Sequence, residues 1–163
     1  MFRSFLIGLV AGQRGITPLA TIGLATYRGE VDDDLPFQTL FHHPVITAGA
    51  IALAAAEMGG DKMKSAPDRT VPIGLAVRCI TSAYAGAALA PRNQRVAGAA
   101  VAVGAALISS YIGLRLRYAA MDRVGQTSSG LVEDALVFGA GLAITNPELT
   151  GTKALMQQPQ AAS

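Results

Sequence analysis

Two arginines stand where a charge is hardest to place. Arg14 sits in the middle of an apolar stretch from Phe2 to Tyr27, and Arg78 lies inside another that runs from Val71 to Ala90. An arginine keeps its proton in a protein, so each charge must be met by a counter-charge, by hydrogen bonds or by water. Around Arg14, Gly12, Gly15 and Pro18 weaken a helix and free backbone groups, while Thr17 and Thr21 continue a polar stripe at helical spacing. A helix broken here can aim a new N-terminus at an anion. Around Arg78, the ladder Gly74, Arg78, Ser82 and Gly86 marks a small, polar face that has to turn inward.

The acids that could answer these arginines are few. Glu133 and Asp134 lie at the start of a last apolar stretch, Leu131 to Thr145, where acids also suit a helix N-terminus. Being adjacent, they point about 100° apart and can serve two partners. At least one is expected to pair with Arg14 or Arg78. Glu57 and Asp61 share a helix face beside Lys62 and Lys64, which predicts an interfacial salt-bridge set. Arg14, Thr17, Arg78, Ser82, Glu133 and Asp134 are therefore the candidate residues of a ligand site or ion pathway, with charge-locking of helices as the alternative use of the same groups.

Other chemistry is not indicated. Asp32–Asp34 with His42 and His43 has no metal-ligand spacing, and adjacent histidines seldom ligate one ion well, so a solvated loop is expected there. No phosphate-binding loop, dinucleotide fingerprint or nucleophile elbow occurs, so neither an enzyme nor a resident cofactor is expected. A net charge of +2 with 6% aromatic residues gives no dense basic patch and no stacking platform for nucleic acid. The single cysteine, Cys79, excludes an intrachain disulfide.

The elements that must hold these residues belong to a membrane. Hydrophobic residues make up 51% of the 163-residue chain and charged residues only 15%, with a mean hydropathy of +0.39. The charges gather in clusters between long uncharged runs. Val96 to Leu114 carries no charge over 19 residues, and at about 1.5 Å per residue it matches a hydrocarbon core of about 30 Å. It also lacks the polar face that a soluble helix needs. Five such segments predict an all-α transmembrane bundle of four or five spans over residues 1–147, followed by a disordered tail at 148–163. The first segment, Phe2 to Tyr27, is expected to be an uncleaved span interrupted near Arg14, with a re-entrant segment as the alternative. The second starts at Pro44, the third closes at Pro91, and Asn146-Pro147 stops the fifth.

Without a hydrophobic gain between helices in lipid, close packing of small faces must hold such a bundle together. Gly8 and Gly12 form one small pair, and Gly98, Ala102 and Ala106 another stripe. The same faces predict self-association, or membership of a membrane complex. Seven basic residues, Arg3 among them, against four on the other side place the N-terminus in the cytoplasm and the Glu30–Asp34 loop outside. Tyr111 and Tyr118 then sit at the cytoplasmic interface. Arg14-Gly-Ile-Thr17 recurs as Arg78-Cys-Ile-Thr81, and the same offset lays Gly49 on Gly113, which suggests a weak internal duplication.

The order of these motifs carries a family likeness. Gly12-Gln-Arg14-Gly-Ile-Thr-Pro18-Leu, then Glu57 with Asp61-Lys62, then Arg78 before Gly86-Ala, and last Glu133-Asp134 before Asn146-Pro147 follow one another along the chain. In this the chain resembles the domain-of-unknown-function family four-one-two-six, small bacterial polytopic membrane proteins. The resemblance implies an inner-membrane location and brings no catalytic residues with it.

Overall fold

A computed structural model describes residues 1–32, 34–60, 71–124, 126–146 and 148–149, with side chains at 117–129 left aside. The described residues are all helical or loop. The helices are α1 (Phe2–Gln13), α2 (Thr17–Tyr27), α3 (Pro44–Gly60), α4 (Pro72–Ala88), α5 (Arg95–Val124) and α6 (Gln126–Thr145), with short 3-10 turns at Gln38–His42 and Arg92–Gln94. One helical run, Arg92–Leu116, is long and apolar enough to cross a membrane, with a mean hydropathy of 1.8. Each predicted apolar segment after the first falls on one helix. The set at Asp61, Lys62 and Lys64 lies outside the described residues, as does the tail beyond Leu149.

The first apolar segment is two helices, and they reverse direction. α1 ends at Arg14, whose backbone is extended (φ −137°, ψ 114°), and Pro18 sits in the first turn of α2. In an unbroken helix the Pro18 ring would clash with the Arg14 carbonyl four residues back. The direction of each half follows from what it touches on α6. Arg3, at the start of α1, donates to the Ile144 and Thr145 carbonyls at the end of α6 (2.9 and 3.0 Å), whereas Arg14 pairs with Asp134 near its start. α1 is thus antiparallel to α6. Thr21 of α2 lies against Gly141, and Arg28 lines a cavity with Thr145 and Asn146, so α2 runs parallel to α6. The pair forms a hairpin whose turn is Arg14-Gly15-Ile16.

The first segment therefore does not run on as one helix past Arg14. The reversal corrects the expected sidedness: Met1, the Arg28–His43 connection, Arg92–Gln94 and Asn146 share the open end of the hairpin, and Gly60, Val71 and Leu116 lie towards the far end. The N-terminus is on the same side as the Glu30–Asp34 loop because the chain turns back at Arg14 instead of continuing. The suggested duplication fails for the same reason. It would lay the hairpin turn at Arg14 on Arg78, which is inside the unbroken helix α4.

Small residues set the packing of α1, α4 and α5. A Cβ on Gly8 would stand 2.8 Å from Ala102 Cα, and one on Gly12 would stand 2.8 Å from Ser109 Oγ. Gly86 and Gly98 face each other so closely that a Cβ on either would meet the other's carbonyl oxygen at 2.6 or 2.7 Å. Hydroxyls stitch the same seam. Ser4 donates to the Gly86 carbonyl (2.9 Å), Ser109 to the Leu9 carbonyl (2.8 Å) and Ser110 to the Gly12 carbonyl (3.1 Å).

At the open end, α2 stops with paired bonds from Glu30 N–H to the Ala25 carbonyl and from Gly29 N–H to the Thr26 carbonyl, with Gly29 at φ +69°. The following loop is tied down. Gln38, fully buried, donates to Thr26 Oγ1 and to the Asp32 carbonyl, and Tyr84 donates to the Pro36 carbonyl. Asp34 pairs with Arg92 (2.6 Å) and Arg95 (3.3 Å), so the acidic loop, exposed at Asp32 and Asp34 as expected, is also clamped to the α4–α5 connection. His43 accepts a bond from the Val45 N–H at the start of α3.

Candidate functional site at the hairpin tip

The turn at Arg14–Ile16 is where the charges meet. Arg14 is 2% exposed, and its Nε donates to Asp134 Oδ1 at 2.8 Å, with Nη2 reaching the same oxygen. A planar guanidinium supplies both donors from one edge, which fixes its orientation as well as its charge. Asp134 is also buried, one turn inside the α6 stretch that is apolar on its other faces.

On the opposite flank, Glu57 of α3 grips the turn through its backbone. Its Oε1 accepts from Gly15 N–H (2.7 Å) and its Oε2 from Ile16 N–H (2.9 Å). Glu57 was expected in an interfacial salt-bridge set with its lysine neighbours. Its carboxylate instead serves as the cap that α2 lacks, because Ile16 at the N-cap position has no side-chain oxygen to give. The readable signal was in the sequence: a helix starting Ile-Thr-Pro after Gly15 brings no acceptor of its own at the N-cap, so one must come from elsewhere.

Arg78 completes the cluster from α4. It is 7% exposed, and its Cγ lies 3.3 Å from where a Cβ on Gly15 would be, with Glu57 Oε1 at 3.4 Å from the same point. Any larger residue at position 15 would press on both. One turn on, Ser82 is fully buried and donates to the Cys79 carbonyl. Glu133 is half-buried beside Asp134 in the sequence of α6. The tip therefore gathers Arg14, Asp134, Glu57 and Arg78 from four elements, while Ser82 lies on the α4 face leading away towards Gly86.

A polar stripe leads from the tip to the open end. Thr17 and Thr21 are both fully buried. Thr21 donates back to the Thr17 and Pro18 carbonyls, whereas the Thr17 hydroxyl has no hydrogen-bond partner among the described residues. Thr21 also forms the inner wall of a cavity of about 190 Å³ between α2 and α6, whose rim carries Arg28, Glu30 and Asn146. A second, more open groove of about 360 Å³ lies over α1 between α5 and α6 and is nearly all apolar, with Gln13 held by Ser109 at its base. Gly8, Gly12 and Gly98 lie apart from both cavities, in the α1–α4–α5 seam.

A family model described as a domain of unknown function (DUF4126) matches residues 2–157. No curated protein and no solved structure matches the chain.

Proposed function

We propose that this chain, which belongs to the DUF4126 family of domains of unknown function, is a multi-pass inner-membrane protein that binds or passes a small ion or solute at the hairpin tip. The membrane reading draws on an inverted distribution of polarity. Val96, Ile73, Ile80 and Leu136 are 85%, 77%, 69% and 68% exposed, while Arg14, Thr17, Thr21, Ser82 and Ser110 are buried. A lipid environment rewards that arrangement and water penalises it. α3, α4 and α6 are 17, 17 and 20 residues long beside α5, or roughly 25–30 Å, enough to cross with little tilt.

In this reading α3 to α6 cross and the α1–α2 hairpin enters partway from one face. At 12 residues, α1 reaches only about 18 Å into a core of about 30 Å. In sequence, the stretches around the α3–α4 and α5–α6 connections carry Lys62, Lys64, Arg69, Arg115, Arg117 and Arg123, against Arg3, Arg28, Arg92 and Arg95 with several acids in the segments at the open end. The positive-inside rule then turns the far end to the cytoplasm and Met1 with the Arg28–His43 connection away from it. The outward face of α3, with Ala48, Ala52 and Ala56 exposed, offers a small-residue surface for a second copy or a complex partner.

The observation that carries the passage reading is a run of buried polar side chains along α2, with Thr21 on the wall of the α2–α6 cavity and Thr17 one turn before it, which leads along the chain to Arg14 and its partner Asp134. Irregular backbone inside a membrane is tolerated where protein buries it or where it lines a wet path, and the passage reading takes Thr17 and Thr21 as the lining of such a path. The test is flux of a panel of ions and small solutes in proteoliposomes, with wild type against Thr21→Leu, which fills the cavity wall. A selective flux that Thr21→Leu reduces supports the reading, and no flux above protein-free liposomes refutes it. The rival reading is an assembly subunit whose charges only lock helices. It is favoured by the fact that Arg14 and Glu57 already hold hydrogen-bonded partners.

A further inference from the structure

The end of α2 puts two opposite charges on the rim of one cavity. Gly29, at φ +69°, lets the chain fold back, so that the Glu30 N–H reaches the Ala25 carbonyl just after the Arg28 N–H has closed the helix on the Leu24 carbonyl. Arg28 and Glu30 both border the cavity of about 190 Å³ between α2 and α6. Among the described residues neither side chain holds an ion pair or a hydrogen bond, with the other or with a third residue. Charges at this end do pair elsewhere, since Arg92 and Arg95 answer Asp32 and Asp34. Behind the rim the walls are Leu24, Ala25, Leu142 and Ala143, with buried Thr21. α2 and α6 run parallel and both end here, and the carbonyl ends of two helices favour a cation beside Glu30.

Volume decides the size of the guest. A cavity of about 150 Å³ holds benzene, and drug-sized ligands take about 300 Å³ or more. This one suits a molecule a little larger than benzene, and a lipid acyl chain is too large for it. We propose that the α2–α6 cavity binds a small zwitterion, an α-amino acid with a short aliphatic side chain. Its carboxylate meets Arg28, whose planar guanidinium can donate two parallel hydrogen bonds, its ammonium meets Glu30, and its side chain lies among the apolar walls. The inference rests on the passage reading for the cavity as a mouth and adds the class of solute, while binding at the mouth needs no path onward.

The experiment uses the full-length protein and L-valine as the probe. Valine binding is measured by equilibrium dialysis in detergent, and its uptake is followed in proteoliposomes beside that of sodium, potassium and chloride. Isovalerate and isobutylamine keep the branched carbon chain with a single charge each, and both are expected to bind about tenfold more weakly than valine, the change that 1.4 kcal/mol gives. Tryptophan, too large for the cavity, should not compete. Arg28→Gln and Glu30→Gln should each weaken valine binding by about the same factor, and the ligand comparison on wild type carries the test if either variant does not fold. Charge-dependent valine binding without uptake of any solute supports the zwitterion site and refutes passage. Uptake of an inorganic ion without valine binding refutes the site and leaves passage standing. If valine does not bind wild type, or if the single-charge analogues and the two variants bind as tightly as valine binds wild type, the zwitterion site is refuted.

Discussion

The α1–α4–α5 seam and the hairpin tip lie on the same helix, α1, yet they are held by different physics. Along the seam, Gly8, Gly12, Gly86 and Gly98 bring backbones together and serine hydroxyls close the remaining polar groups. Nothing charged takes part. At the tip, contact depends on Arg14 with Asp134 and on Glu57 with two backbone N–H groups. A seam held by shape tolerates no added atom and responds to no solute, because its attraction is dispersion between close surfaces. A cluster held by charge can be opened by anything that offers the same charge. The molecule therefore joins a half held by shape and a half held by charge on one helix.

The largest effect is expected at the tip. Arg14→Ala takes the hydrogen-bonded guanidinium from buried Asp134, and breaking a buried pair by removing one partner costs about 3–5 kcal/mol. Thermal unfolding in detergent should show that loss, and Asp134→Asn added to Arg14→Ala should restore part of it. If Arg14→Ala is as stable as wild type, the pair does not hold the fold, and the contrast between the two regions collapses.

A smaller loss is expected at the seam. Gly86→Ala places a methyl group against the Gly98 carbonyl, where only a backbone shift makes room. Overpacking of this kind costs about 1–3 kcal/mol. No change of charge elsewhere should rescue it. Rescue by a charge substitution at the tip would mean that the two regions are one.

Much of this was legible from residue order. Pro44 and Pro72 open α3 and α4, Pro91 follows α4, and the charge-free run from Val96 marks the core of α5, because these signals are local to the chain. The break at Arg14 was legible for the same reason, from Gly15 and Pro18. Its direction was not. Glycine and proline say that a helix stops, but the return of α2 along α6 is fixed by contacts between residues far apart in sequence, such as Arg3 with Ile144. The partner of Glu57 was hidden likewise. Counted along α3, Glu57 lies one turn from the helix end and reads as interfacial, and only the depth of the hairpin brings Gly15 to meet it. For Asp134 the residue types sufficed, since few acids lie within the apolar segments.

The hairpin itself is the central claim, and sidedness tests it most directly. With Cys79 replaced by alanine, single cysteines at Phe2, Asp34 and Gly60 can be labelled in intact cells with a membrane-impermeant thiol reagent, and again after the membrane is opened. A hairpin predicts that Phe2→Cys and Asp34→Cys label from the same side, while Gly60→Cys labels only once the other face is opened. Labelling of Phe2→Cys and Asp34→Cys from opposite sides would mean that the first segment crosses the membrane, and the reversal at Arg14 would be wrong.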